Sequence, residues 1–202
     1  MKIINDELKF KIYNALKKNH EEEIIEEELK KVKSISINQN NLNGTRIEAK
    51  DFEYLKYVES LSLNLFEITD EFIQQINSFE NITHLSLNHC IMKTDNKIIN
   101  HLNSIIVTYT QNFKLNMIED TLSPKIIRLI NLEKINLKDL IAYKNLKYIY
   151  IYNTQIEKPE FLNSFEQLKE VYLDGSTISE EILEQLREKN IKVHYKEEYL
   201  PN

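Results

Sequence analysis

Glycine and proline are nearly missing from this chain, at two and three residues of 202. So little turn punctuation argues against a loop-rich sandwich and against two domains joined by a flexible linker. The single cysteine cannot close an internal disulfide, so nothing points to an oxidising compartment. No stretch approaches the roughly 18–20 apolar residues that cross a bilayer. The opening MKIINDE turns acidic before any apolar run of signal-peptide length, so the chain is expected in the cytoplasm. A basic stripe is also lacking. Lysine and arginine are scattered and the net charge is −6, whereas nucleic-acid binders cluster cations against phosphates. Neither nucleic acid nor a membrane is therefore an expected partner. What is present, 42% hydrophobic and 29% charged residues, suits a soluble globular protein with a sizeable core.

One pattern recurs along the chain, with apolar residues at relative positions 1, 4, 6 and 11. It runs through Val32-Ile35-Ile37-Leu42, Val58-Leu61-Leu63-Ile68 and Ile82-Leu85-Leu87-Met92. It continues as Leu102-Ile105-Val107 with a polar Asn112, then Leu146-Ile149-Ile151-Ile156 and Leu168-Val171-Leu173-Ile178. A degenerate last copy carries Val193 and Tyr195. Between residues 112 and 146 the register is less regular. Leu132-Ile135-Leu137-Ala142 in NLEKINL fits best and leaves intervals of 30 and 14 residues on its two sides. These equal two ordinary repeats together, so a strand shifted to Ile127–Leu129 is the alternative. With Ile135 as the expectation, the solenoid should bulge there. The fourth positions span 158 residues over seven intervals, about 22.6 per repeat.

The segments between copies read as short helices: Thr69–Phe79 with a Thr-Asp cap and Phe72, Ile73, Ile76 and Phe79 on one face, then Asp95–Leu102, Ser123–Ile130, Pro159–Phe165 and Ser179–Lys189. Pro124 and Pro159 fit a helix's first turn. The first 31 residues carry no repeat. Asn5–Lys18 spaces Leu8, Ile12, Ala15 and Leu16 as an amphipathic helix. Residues 21–31 suggest a second helix with Ile24, Ile25 and Leu29 inward and six glutamates outward. At the far end, VHYKEEYLPN supplies a short polar final strand.

The unit resembles the leucine-rich repeat, LxxLxLxxNxL, over nearly the whole chain, and IND-x-L-x-x-x-I-x-x-AL before it resembles the helical cap of internalin-type bacterial repeats. That resemblance implies a horseshoe-shaped α/β solenoid with a parallel concave sheet, short convex helices and an N-terminal cap. Residues 1–31 would be the cap, covering the apolar end of the first turn. Residues 32–202 would be one continuous domain of about seven or eight repeats. The resemblance also implies an inward polar residue at position 9, bonded to neighbouring backbone. Asn40, Cys90, Thr110, Thr154 and Ser176 fill it; Phe66 and Leu140 depart, so the polar ladder should break twice. Cys90 is thereby a packing residue.

Catalytic chemistry finds little footing. Gly44 and Gly175 cannot build a phosphate loop, and Gly175 reads as a turn residue at a strand exit. His20, His84, His89, His101 and His194 lack metal-ligand spacing. His84 near Ser86, Ser60 and Ser62 has no orienting acid, oxyanion hole or sharp nucleophile turn, and reads as solvated strand surface. No cofactor and no enzymatic activity are expected.

Alternation along each strand sends the third, fifth and seventh residues of a unit to the concave face. The first half presents Ser34-Ser36-Asn38, Ser60-Ser62-Asn64, His84-Ser86-Asn88 and Ser104-Ile106-Thr108. The second presents Lys134-Asn136-Lys138, Tyr148-Tyr150-Tyr152, Glu170-Tyr172-Asp174 and Lys192-His194-Lys196. Tyrosine combines rigid apolar area with a polar tip and is enriched at interface hot spots, although strands favour it for local reasons too. Tyr148, Tyr150, Tyr152, Glu170, Tyr172, Asp174 and His194 are the expected partner-binding residues. The expected protein is a monomeric, bacterial protein-interaction module, as an immunity or inhibitor protein or an adaptor. The alternative is a fragment or accessory domain of a larger effector or ligase-type enzyme.

Overall fold

The structure, a computed structural model, describes residues 5–19, 22–39, 46–119 and 124–196. Eight strands form one parallel sheet in chain order. They are β1 (Ser34–Asn38), β2 (Ser60–Asn64), β3 (His84–Asn88), β4 (Ser104–Thr108), β5 (Ile126–Ile130), β6 (Tyr148–Tyr152), β7 (Glu170–Asp174) and β8 (Lys192–His194). Each repeat makes one turn and returns the chain to the start of the next strand, so sequence neighbours become sheet neighbours. The register never slips: Ile35 faces Leu61, Leu61 faces Leu85, and the pairing continues to Val171 and Val193. The two inward residues of every strand from β1 to β7 are at most 5% exposed. Burying each such side chain stabilises by about 1.5–3 kcal/mol.

The segment between residues 112 and 146 differs from expectation. β5 is Ile126–Ile130, with Ile127 and Leu129 inward at 0% exposure, not Ile135–Leu137. The intervals on both sides become 22 residues, from Ile105 to Ile127 and from there to Ile149, and no bulge is needed. The reason is closure: a turn of the solenoid has a fixed circumference, and 14 residues cannot complete it. Ile135 is still buried, but past the turn, where Lys134–Asn136 pairs with Gln155–Glu157 in a separate two-stranded ladder. Leu137–Leu140 is a 3-10 turn. Lys134, Asn136 and Lys138 therefore leave the concave sheet, and Ile126, Arg128 and Ile130 replace them.

On the convex side two helices form as expected, Asp70–Asn77 and Glu180–Glu188. Thr69 precedes the first without making a cap bond; its hydroxyl instead donates to Glu71 Oε2 at 2.5 Å. Pro159–Ser164 is a 3-10 turn. The helix expected over Ser123–Ile130 is strand β5, with Ser123 itself outside the described residues. Asp95–Leu102 is not helical; it is irregular with one bridge, Ile98 to Ile118. Only 20 residues separate Leu85 from Ile105, its equivalent one turn later. A helix rises 1.5 Å per residue against about 3.3 Å extended, so the shortest repeat closes its turn only with extended chain. Where Phe66 replaces a polar ladder residue, it packs edge-on against Phe52 and Phe72.

Before β1, one helix covers Asp6–Leu16, capped by Asn5, whose side chain accepts from the Leu8 N–H at 3.0 Å. Leu8 and Ile12 are fully buried and the helix packs against β1. The second expected helix shrinks to a single turn, Glu26–Leu29. Ile24 and Leu29 point inward, but Ile25 is 56% exposed. Ile25 sits at the extended cap position of that turn, so helical spacing does not govern its direction. Among the described residues, no helix is long and apolar enough to cross a membrane. Asn40, Leu42, Gly44, His20, Glu21 and residues 197–202 lie outside the described residues.

Candidate functional site

The concave face is held in shape by what happens where each strand ends. Leu65, His89, Tyr109, Asn131, Asn153 and Gly175, the residues directly after β2 to β7, all have positive φ. This left-handed step turns the chain sharply, and each of the six N–H groups donates to a carbonyl at the strand exit of the following turn, as Asn131 does to Tyr152 at 2.9 Å. One residue further, the polar ladder forms. Cys90 Sγ donates to the Leu63 carbonyl at 3.4 Å and Thr110 Oγ1 to that of Leu87 at 3.2 Å. Ser176 Oγ donates to the Thr154 carbonyl at 2.9 Å. Phe66 breaks the ladder as expected. The second break is at Leu132 rather than Leu140, because the register is shifted; there Thr154 Oγ1 accepts the buried Leu132 N–H at 3.1 Å.

With the strands fixed, the concave side chains fall into straight rows. In the first half, serines and asparagines stack from strand to strand, and Asn88 Nδ2 donates to Asn64 Oδ1 at 2.7 Å. In the second half, the middle row runs Arg128, Tyr150, Tyr172, His194 across β5 to β8. The Arg128 guanidinium carbon lies 4.6 Å from the Tyr150 ring centroid. Tyr150 and Tyr172 stack at 4.7 Å and 16° between planes. Tyr172 and His194 stack at 4.0 Å and 1°. Of the expected site residues, Tyr150, Tyr172 and His194 are thus brought into direct contact.

Glu170 ties this row to its neighbours. Its Oε1 accepts from Tyr172 Oη at 2.9 Å, lies 2.8 Å from His194 Nε2 and pairs with Lys192 Nζ at 3.0 Å. The Lys192 ammonium, then the Tyr172 and His194 hydrogen bonds, hold the Glu170 carboxyl down at about 2. Donating that bond to Glu170 pushes the Tyr172 phenol up. Tyr148 and Tyr152 flank the row on β6, level with Glu170 and Asp174 respectively, and all four are half-buried. Burial first, then the Asp174 charge, pushes the Tyr152 phenol up. Arg128 is the member that sequence reasoning missed. Its signal was the pair of 22-residue intervals around Ile127.

His84 Nδ1 bonds Thr83 Oγ1 at 2.8 Å rather than a serine, and the His89 ring lies tilted at 45° against Tyr109, 4.6 Å between centroids. Cys90 is fully buried, and burial pushes its thiol pKa up. Among the described residues, no cluster of three or more His, Cys, Asp or Glu side chains is arranged to hold a metal ion.

A parallel sheet climbing one strand per 20–26-residue turn, with an inward apolar pair on each strand and a polar ladder at four of the strand exits, defines a leucine-rich-repeat solenoid. No family model matches the chain, and no curated protein does. Among solved structures it is similar to internalin C2 from Listeria monocytogenes. That alignment has 22% identity, covers 98% of this chain and 89% of the other, and has a TM-score of 0.66. This is a likeness of fold. An internalin (inlF) from the same organism aligns over 96% of this chain and 91% of its own at 15% identity, with a TM-score of 0.32.

Proposed function

We propose that this chain is a non-catalytic protein-interaction module that grips a protein partner on the C-terminal half of its concave face. The observation that carries the reading is the unbroken stack from Arg128 through Tyr150 and Tyr172 to His194. Rings already locked against each other lose little freedom when a partner arrives, so their contact area converts into affinity with little ordering cost. Seven strand spacings of about 4.8 Å give a surface roughly 34 Å long, enough for a small domain or a helix. Tyr148, Tyr152, Glu170 and Asp174 border the stack and complete the site. A cytoplasmic, monomeric protein acting as an inhibitor, immunity protein or adaptor is part of this proposal.

The test is affinity capture of a partner from the native cells, followed by titration with purified variants. Tyr150→Ala or Tyr172→Ala should weaken binding at least about 30-fold, the equivalent of a hot-spot loss of about 2 kcal/mol. Ser36→Ala and Ser62→Ala should change it little. Normal binding by both tyrosine variants, with loss in a convex-face variant, would overturn the assignment.

A further inference from the structure

The concave stack ends in a cation with an open edge. Arg128 is exposed, one face of its guanidinium lies on Tyr150, and among the described residues it makes no hydrogen bond or ion pair. Two concave carboxylates lie two strands away on β7: Glu170 is held by Lys192, Tyr172 and His194, and Asp174 stands level with Tyr152. Around Arg128 the surface is apolar: Ile106 is its register partner on β4, and Ile126 and Ile130 flank it on β5, all half-buried. A guanidinium in such surroundings offers a preorganised fork of N–H donors that matches a carboxylate.

A second feature points the same way. Lys125, Lys147 and Lys169 each stand one residue before the concave positions of β5, β6 and β7, at the strand-start rim. They are bonded turn to turn: Lys147 N–H donates to the Lys125 carbonyl and Lys169 N–H to the Lys147 carbonyl, each at 2.9 Å. Among the described residues none of the three side chains makes an ion pair. The same rim in the first half carries a neutralised pair, Lys33 with Glu59 at 2.8 Å, then Thr83 and Asn103. A protein of net charge −6 thus concentrates unpaired cations along one side of its aromatic face.

Resting on the reading that this face holds a protein, we propose that it accepts an acidic segment of that partner. One Asp or Glu carboxylate of the segment sits against the free edge of Arg128, beside apolar neighbours that cover Ile106, Ile126 and Ile130. Further acids are drawn in by Lys125, Lys147 and Lys169. Nucleic acid fits less well, because recognition of single strands needs open aromatic faces for the bases. Both faces of Tyr150 and Tyr172 are already covered, by Arg128, each other and His194.

The probe is a random peptide library displayed on phage, panned against the folded full chain and then against its variants. The recovered peptides should be enriched in Asp or Glu next to aliphatic or aromatic residues. Arg128→Gln should weaken them about ten-fold or more, as expected for losing a charge-assisted bond, and Arg128→Glu should shift the enrichment to Lys and Arg. Combined Lys125→Gln, Lys147→Gln and Lys169→Gln should slow association and flatten its salt dependence, with dissociation little changed. Peptides without acid enrichment, or acidic peptides indifferent to Arg128→Gln, overturn the proposal. If Tyr150→Ala still weakens those same peptides, the concave-face reading survives and only the acidic partner falls; if it does not, both fall. Binding of a labelled oligouridylate that depends on Arg128 also overturns it in favour of nucleic acid. Circular dichroism of Arg128→Gln, an exposed position, verifies that the fold is kept.

Discussion

The rings of Tyr172 and His194 lie 4.0 Å apart and 1° from parallel, while one oxygen of Glu170 bonds the hydroxyl of the first and Nε2 of the second. The carboxylate is two residues before Tyr172 on β7, so the strand's own alternation puts both side chains on one face. The parallel pairing of β7 with β8 then delivers the histidine. Position on the sheet, rather than a loop, sets this geometry.

That hub should make stability fall in acid. The Glu170 carboxyl is held at about 2, below its ordinary 4.5. A group whose pKa is depressed on folding contributes stability above its unfolded value and loses it as pH falls through the folded one. Wild-type protein should therefore lose melting temperature between 4.5 and about 2 more steeply than Glu170→Gln, which has nothing to titrate there. Parallel melting curves for the two across that window would show that the hub contributes nothing.

The polar ladder has a testable weak point at Thr154. Its hydroxyl accepts the buried Leu132 N–H at 3.1 Å and donates to the Tyr152 carbonyl at 2.9 Å. Thr154→Val keeps the shape and strands a buried donor, which costs about 1–3 kcal/mol. Urea denaturation should show a lower midpoint with the slope unchanged. A shift too small to measure would mean that the Leu132 N–H finds another acceptor.

Gly175 closes the last sharp strand exit at φ 71°, and an added Cβ would stand 3.1 Å from Asn153 Cα and 3.2 Å from Asn153 N. Gly175→Ala meets both the left-handed penalty and backbone that has little room to retreat. Its expected loss is about 1–2 kcal/mol, read from chemical denaturation. Asn tolerates this conformation better, so Gly175→Asn should lose less if conformation dominates and more if the contact does.

Removal of residues 1–31 should leave the apolar end of the first turn open, since Leu8 and Ile12 are buried in a helix packed on β1. Aggregation or loss of a cooperative transition is expected. A truncated chain that stays monodisperse and melts as before would end the capping interpretation.

Features with a short period were legible in the order of residues alone. Alternation sorts residues between the two faces of each strand, so the inward pairs and the tyrosines of β6 and β7 could be read one by one. The repeat length brought Tyr150, Tyr172 and His194 onto neighbouring strands, because parallel pairing adds no further choice once the repeats match. Folding of whole turns was needed to choose between Ile127–Leu129 and Ile135–Leu137, of which the second matches the repeat better locally. Both are apolar and their inward residues are buried, but only the first leaves enough chain on each side to complete a turn. That choice placed Arg128 at the head of the aromatic row and removed three residues from the face. It also settled Asp95–Leu102, which has a helix's spacing but too few residues for helical rise, and Ile25, which lies one position before its helical turn begins. The Glu170 hub likewise needed coordinates, since its partners lie on two strands. Periodicity reports which way a side chain points; closure of the solenoid, a property of whole turns, decides what it points beside.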